Sequence, residues 1–176
     1  PGFIFMGVML GYSGITEKMF SALYVWLGGF RGGLGITTIL IGTILAACVG
    51  IIGASVSALA IIALPAMIKR GYDRSLACGA VCAGGTLGIL IPPSIMLVVY
   101  GPMASLSVGK LFFAAFMPGF LLAGLYIVYI AVHSFLKPEV APPVPPAERA
   151  VPFVKKTVDL TVSLVPPVVL ILAVLG

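Results

Sequence analysis

Charge is what this sequence has least of: 9% of its 176 residues are charged against 61% hydrophobic, with a mean hydropathy of +1.24. An ordinary soluble domain carries about a quarter charged residues, so that class is excluded. Acidic residues are the scarcer sign, five against ten basic. None sits in the middle of a long apolar run, which leaves no carboxylate to relay protons inside a membrane segment. Alternation of apolar and polar residues is missing, so strands are not expected. No Ser/His/Asp arrangement, metal-ligand cluster or phosphate-cradling glycine loop is present, which argues against an enzyme and against a metal site of the zinc or iron kind. The three cysteines, Cys48, Cys78 and Cys82, lie in apolar segments without a disulfide framework and read as small packing residues. The net charge of +5 is spread over short loops between apolar runs, where basic residues act as topology signals rather than nucleic-acid contacts. The chain begins at Pro1 and ends within "VVLILAVLG", as a piece of a longer protein is expected to do.

What is present is a succession of apolar segments, and the expected fold class is an all-α polytopic membrane protein. "GFIFMGVMLGYSGI" reads as the tail of a spanning helix. Residues 16–32 open on Thr16 as a helix N-cap and carry Phe20, Tyr24, Trp26 and Phe30. About 14 residues reach only about 21 Å, so this is read as an interfacial helix with aromatic anchors, a short tilted span being the alternative. Residues 34–68 run without a charge and are too long for one ordinary span. Their middle, Gly50 to Ser57, is rich in glycine and serine, which favours a re-entrant hairpin over two short full spans. "KRGYDR" follows as a basic loop, then the apolar run 75–101, then a clear span over 111–135. His133 reads as an interfacial side chain near the end of that span, and Glu17, Lys18 and Asp73 read as solvated loop charges. Residues 136–156 form a proline-rich linker that cannot be helical through its centre. Residues 157–176 begin a further span. With a hairpin that returns to its starting face, Arg31, Lys69, Arg70, Arg74, Lys137, Arg149, Lys155 and Lys156 share one side and Lys110 stands alone opposite, a positive-inside split that places the linker and the hairpin entrance in the cytoplasm.

The run 75–101 contains "GGTLGILIPPS". Pro92 and Pro93 have no amide N–H, so the carbonyls of Gly88 and Ile89 lose their helical donors. Gly84, Gly85 and Gly88 let other backbone approach closely. The expected product is a discontinuous helix, unwound near Gly88 to Pro93 and restarted by Pro93 or capped by Ser94. Irregular backbone survives in hydrocarbon only when buried in protein or lining a polar cavity. A small hard cation uses free carbonyls, and the negative C-terminal pole of the first half-helix suits it. The positive N-terminal end of the second suits an anionic or hydroxyl-rich substrate, and Ser55, Ser57 and Ser94 supply hydroxyls. A proline-kinked structural helix beside an ordinary Gly/Ser turn is the competing interpretation.

"LPAMIKRGYD" followed by "GTLGILIPPSIMLVVYG" resembles the large membrane subunit of tripartite ATP-independent periplasmic (TRAP) transporters, over about Gly2 to Phe135, and within that family the mannitol/chloroaromatic-labelled branch. The tip differs from many members, which carry Ser-Gly-Ser and an acidic residue where this chain has Val49, Gly50 and Ile51. The resemblance implies half of an inverted-repeat, elevator-type secondary carrier in the bacterial inner membrane, with residues 1–135 as its transport-repeat portion. It implies a sodium site carried by Gly53, Ser55, Gly85, Thr86, Gly88, Pro92, Pro93 and Ser94, sodium as the coupling ion, and no other cofactor. Substrate, a small organic and anionic solute, would lie beside it at Ser55, Ser57 and Ser94. A small membrane subunit and a periplasmic substrate-binding protein are the implied partners. A related permease that takes substrate directly from solution, and a structural or channel-like subunit, are the alternatives.

Overall fold

The computed structural model describes residues 14–142, together with positions 158, 161, 162, 165, 168 and 169. Within 14–142 six helices and no strands are found: α1 (Ile15–Leu27), α2 (Gly33–Val49), α3 (Ile52–Lys69), α4 (Arg74–Leu90), α5 (Ile95–Met103) and α6 (Val108–Leu136). The protein is an all-α, multi-pass membrane chain. Among the described residues three segments are long and apolar enough to cross a bilayer: Ile52–Lys69, Arg74–Met103 and Val108–Leu136. The segment before residue 14, the linker beyond residue 142 and most of residues 157–176 lie outside the described residues.

Some hydroxyls inside the helices are satisfied by their own helix. Thr38 and Thr43 each donate their hydroxyl to the carbonyl four residues back, Leu34 and Ile39, at 2.8 Å, whereas the buried Thr37 hydroxyl of the same helix has no partner. The lipid-compatible surface is carried mainly by α6, which leaves Phe113, Met117, Phe120, Leu121 and Leu125 more than half exposed, as hydrocarbon tolerates and water does not.

The core forms where α2, α3 and α4 pack together. Along α3 the buried positions are Ser55, Leu59, Ala63 and Met67, one residue per turn. On α4 the buried set includes Ala77, Ala80, Gly84, Gly85 and Gly88, small residues that let neighbouring backbones approach. The closest backbone-to-backbone approach among these three helices is Gly42 on Gly84: a β-carbon on Gly42 would stand 2.6 Å from the Gly84 Cα. Hydrophobic burial adds little to helix association in lipid, so close backbone packing of this kind has to hold the three helices together.

One end of the bundle is fastened by the segment after α6. The Gly32 amide donates to the Ala141 carbonyl at 3.2 Å and the Asp73 amide to the Val140 carbonyl at 2.9 Å. The entrance to α2 and the exit from α3 therefore meet at one end, and the α2–α3 hairpin returns to where it began. Tyr72, buried in the loop there, accepts the Leu34 amide on its phenolic oxygen at 3.2 Å. Burial pushes the Tyr72 phenol up to about 12, against the lowering effect of that hydrogen bond and with a further rise from Tyr24.

Several local expectations are corrected. Gly14, in a left-handed conformation at φ 68°, occupies the N-cap of α1, and Thr16 lies inside the helix with its hydroxyl unpaired. Asp73 is not a free loop charge: its carboxylate accepts the Ser75 and Leu76 amides at 2.9 and 3.1 Å and caps α4. Cys48 is buried in the core, whereas Cys78 and Cys82 are exposed on α4 and are not packing residues among the described residues. The helix before the prolines persists to Leu90, so the unwound segment is shorter than expected and the three glycines before it are helical.

Candidate functional site at the hairpin tip and the helix break

Two chain interruptions meet. The first is the tip of the hairpin, Gly50 and Ile51, between α2 and α3. Gly50 adopts φ 64°, which only glycine reaches without strain, so the reversal is written into that residue. The second is Ile91 to Ser94, between α4 and α5, with a cis bond joining Pro92 to Pro93. A β-carbon on Gly50 would lie 2.8 Å from the Pro93 carbonyl oxygen and 3.6 Å from the Ile95 amide nitrogen. The tip is thus seated directly on the break. One turn further along α3, a β-carbon on Gly85 would fall 2.9 Å from both the amide nitrogen and the Cα of Val56 and closer still to its Cγ2. Gly50 and Gly85 thus join the Gly42–Gly84 contact in bringing the hairpin and the broken helix together.

The junction also lies at a consistent depth. At about 1.5 Å per residue, the 17-residue α2 and 17-residue α4 each reach about 25 Å from the fastened end, while the 29-residue α6 extends about 43 Å. Tip and break therefore sit well short of the far end of α6. Ile91 is held against that helix: a β-carbon on Gly119 would be 2.9 Å from the Ile91 Cγ1.

The polar groups at the junction are neutral oxygens. Ser55, the first buried position of α3, and Ser94, at the N-cap position of α5, are 0% and 1% exposed, and both hydroxyls are without a protein partner. Ser94 makes no side-chain cap, although its position would allow one. A buried hydroxyl without a partner costs roughly 1–3 kcal/mol, and two at one junction are the feature expected where a ligand completes the structure. Pro92 and Pro93 offer no donors to the Gly88 and Ile89 carbonyls, while the Ile91 amide keeps its bond to the Leu87 carbonyl at 2.9 Å. Among the described residues no group of three His, Cys, Asp or Glu is placed to hold a metal. Chemically, the junction can offer carbonyl and hydroxyl oxygens together with opposed helix ends.

Of the residues named from the sequence, Ser55, Gly85, Gly88, Pro92, Pro93 and Ser94 are buried about the junction. Gly53, Ser57 and Thr86 are exposed, and Thr86 donates its hydroxyl to the Ala83 carbonyl of its own helix at 2.8 Å. Three contributors were not singled out from the sequence: Ile51, whose carbonyl accepts the Ser55 amide at 3.2 Å, Ile95, and the Gly42 that locks α2 to α4. An apolar residue contributing only backbone, or one glycine in a uniformly apolar helix, leaves no sequence signal of its partner.

A separate cavity of about 740 Å³ opens between α4 and α6 at the fastened end, floored by Ile39 and edged by Asp73, His133 and Lys137. No residue of the junction lines it. His133 stacks on Tyr129 with ring centroids 5.7 Å apart, and its Nδ1 has no partner.

A family model described as the DctM component of the tripartite ATP-independent periplasmic transporter matches residues 1–176. The chain is 39% identical over 137 residues to the C4-dicarboxylate TRAP transporter large permease protein DctM of Pseudomonas aeruginosa, a match covering 78% of this chain and 32% of that protein. It is 39% identical over 133 residues to the protein of the same name from Vibrio cholerae, covering 76% of this chain and 29% of that one. To the sialic acid TRAP transporter permease protein SiaT of Haemophilus influenzae it is 34% identical over 122 residues, 69% of this chain and 20% of the relative. The chain spans about a third or less of the length of the curated relatives it matches. With the family model matching throughout and a hairpin and broken helix that meet at buried, unpartnered oxygens, this chain belongs to the DctM family of TRAP transporter large permeases.

Proposed function

We propose that this chain supplies one half of the ion and substrate site of a sodium-coupled secondary transporter in the bacterial inner membrane. It works with a small membrane subunit and imports a small organic solute delivered by a periplasmic binding protein. The observation that carries this reading is the seating of Gly50 on Pro93 beside the unpartnered hydroxyls of Ser55 and Ser94. A cation held by neutral oxygens draws on carbonyls released by the prolines, with the C-terminal pole of α4 adding favourable potential. Sodium fits that donor set. The Ser94 end of α5 is a positive pole suited to an anionic solute. Relatives are named for C4-dicarboxylates and for sialic acid, which supports a small organic cargo.

In this account the hairpin and the broken helix move together, because the Gly85–Val56 and Gly42–Gly84 contacts bind them into one body. Basic residues at the fastened end, Arg31, Lys69, Arg70, Arg74 and Lys137, support a cytoplasmic orientation for it. The test is uptake by proteoliposomes containing the full-length permease, its small subunit and its binding protein. Uptake should require an inward sodium gradient and the binding protein. Equal uptake with the gradient collapsed overturns the sodium coupling, and equal uptake without the binding protein points instead to a permease that takes substrate from solution.

A further inference from the structure

We propose that the groove between α1 and α3 at the fastened end holds an anionic phospholipid, with its phosphate at Lys69 and Arg70 and an acyl chain along α3. A second cavity, of about 410 Å³, lies there, lined by Tyr24 of α1 and by Ile62, Pro65, Ala66, Lys69 and Arg70. Its chemistry is split along its length. The end nearest the loop carries two adjacent cations, while Ile62, Pro65 and Ala66 form an apolar wall one to two turns deeper along α3. Beside that wall, Ile61 is 75% and Ile68 42% exposed, so the apolar strip continues onto the surface of the helix.

The cationic end is partly set in advance. The Arg70 guanidinium lies over the Tyr24 ring, 5.5 Å from its centroid, and Phe20 stacks with that ring at 6.4 Å. Exposed Trp26 and Phe30 at the end of α1 mark this level as the membrane interface, where headgroups lie. A ligand anionic at one end and apolar along its length fits the groove; free phosphate leaves the apolar wall unused, and a choline headgroup opposes the paired cations. Basic pockets between helices at the cytoplasmic face are a recurrent geometry for anionic headgroups. This inference does not depend on sodium coupling.

The experiment is native mass spectrometry of the full-length permease in detergent, titrated with phosphatidylglycerol or phosphatidylcholine. The wild type should bind its first phosphatidylglycerol more tightly than phosphatidylcholine. Lys69→Gln, an exposed position that leaves the fold intact, should weaken phosphatidylglycerol about fivefold, the loss expected for one cation near a membrane surface. Arg70→Gln should weaken it at least as much, and Lys110→Gln, at the other end of α6, should leave it unchanged. Unchanged phosphatidylglycerol affinity in Lys69→Gln, equal binding of the two lipids by the wild type, or displacement of the lipid by millimolar inorganic phosphate would each overturn the proposal.

Discussion

At the scale of single residues, the junction depends on glycines that admit no side chain, and they separate cleanly from one that does. Gly85→Ala drives a β-carbon into Val56 backbone, which cannot turn aside, and should destabilise the chain by about 1–3 kcal/mol. Gly53→Ala meets nothing within 4 Å and should leave the unfolding midpoint in detergent unchanged. A Gly85→Ala protein as stable as Gly53→Ala contradicts the packing described. Tyr72 gives a second residue-level prediction. Its phenol titrates near 12 in the folded chain against an ordinary 10, so below pH 10 the proton is retained in both states and pH has no effect through this group. Between pH 10 and about 12 the unfolded chain loses the proton first, and stability falls as pH rises. Tyr72→Phe should remove that alkaline decline and, by leaving the Leu34 amide unpaired, cost roughly 1–2 kcal/mol at pH 8. Denaturant titrations of both proteins at pH 8 and pH 11 check both parts.

At the scale of elements, the proposed function rests on a helix that stops and a hairpin that turns. Restoring helix propensity with Pro92→Ala and Pro93→Ala allows α4 to run on through the break, recruits the Gly88 and Ile89 carbonyls into helical bonds, and moves Pro93's carbonyl away from Gly50. The double variant should lose sodium-dependent uptake while still reaching the membrane. Near-normal uptake favours a structural or channel-like role. This break was legible in the sequence because two prolines leave a helix no alternative, and the hairpin because 35 apolar residues exceed one span and carry a Gly/Ser-rich middle. The limits of the unwound segment were not legible: Gly84, Gly85 and Gly88 look like breakers in isolation but are used in helical conformation, where the missing β-carbons of Gly84 and Gly85 admit Gly42 and Val56. Thr16 shows the same limit from the other side, since its capping chemistry lost to a left-handed Gly14 two residues earlier. Asp73 was misjudged because its neighbours in sequence are cations, whereas its partners are the amides at the start of α4.

At the scale of the whole molecule, the hydrogen bonds from Gly32 and Asp73 to residues 140 and 141 gather both ends of the hairpin and the end of α6 at one face. In a background with Cys48, Cys78 and Cys82 replaced, a cysteine at Glu139 should react with an impermeant maleimide only after the membrane is opened. A cysteine at Ser107, before α6, should react in intact cells with a permeable outer membrane. The reverse pattern inverts the orientation proposed from the basic residues. The central claim is that hairpin tip and helix break form one ion site through Ser55 and Ser94, and the most direct measurement is the sodium concentration for half-maximal uptake in Ser55→Ala and Ser94→Ala, with Thr86→Ala as the exposed comparison. Loss of one ligand oxygen worth about 1.4 kcal/mol raises that concentration about tenfold, and the account predicts a rise of this order for both serines and little change for Thr86→Ala. A sodium dependence in Ser55→Ala and Ser94→Ala indistinguishable from the wild type would contradict it.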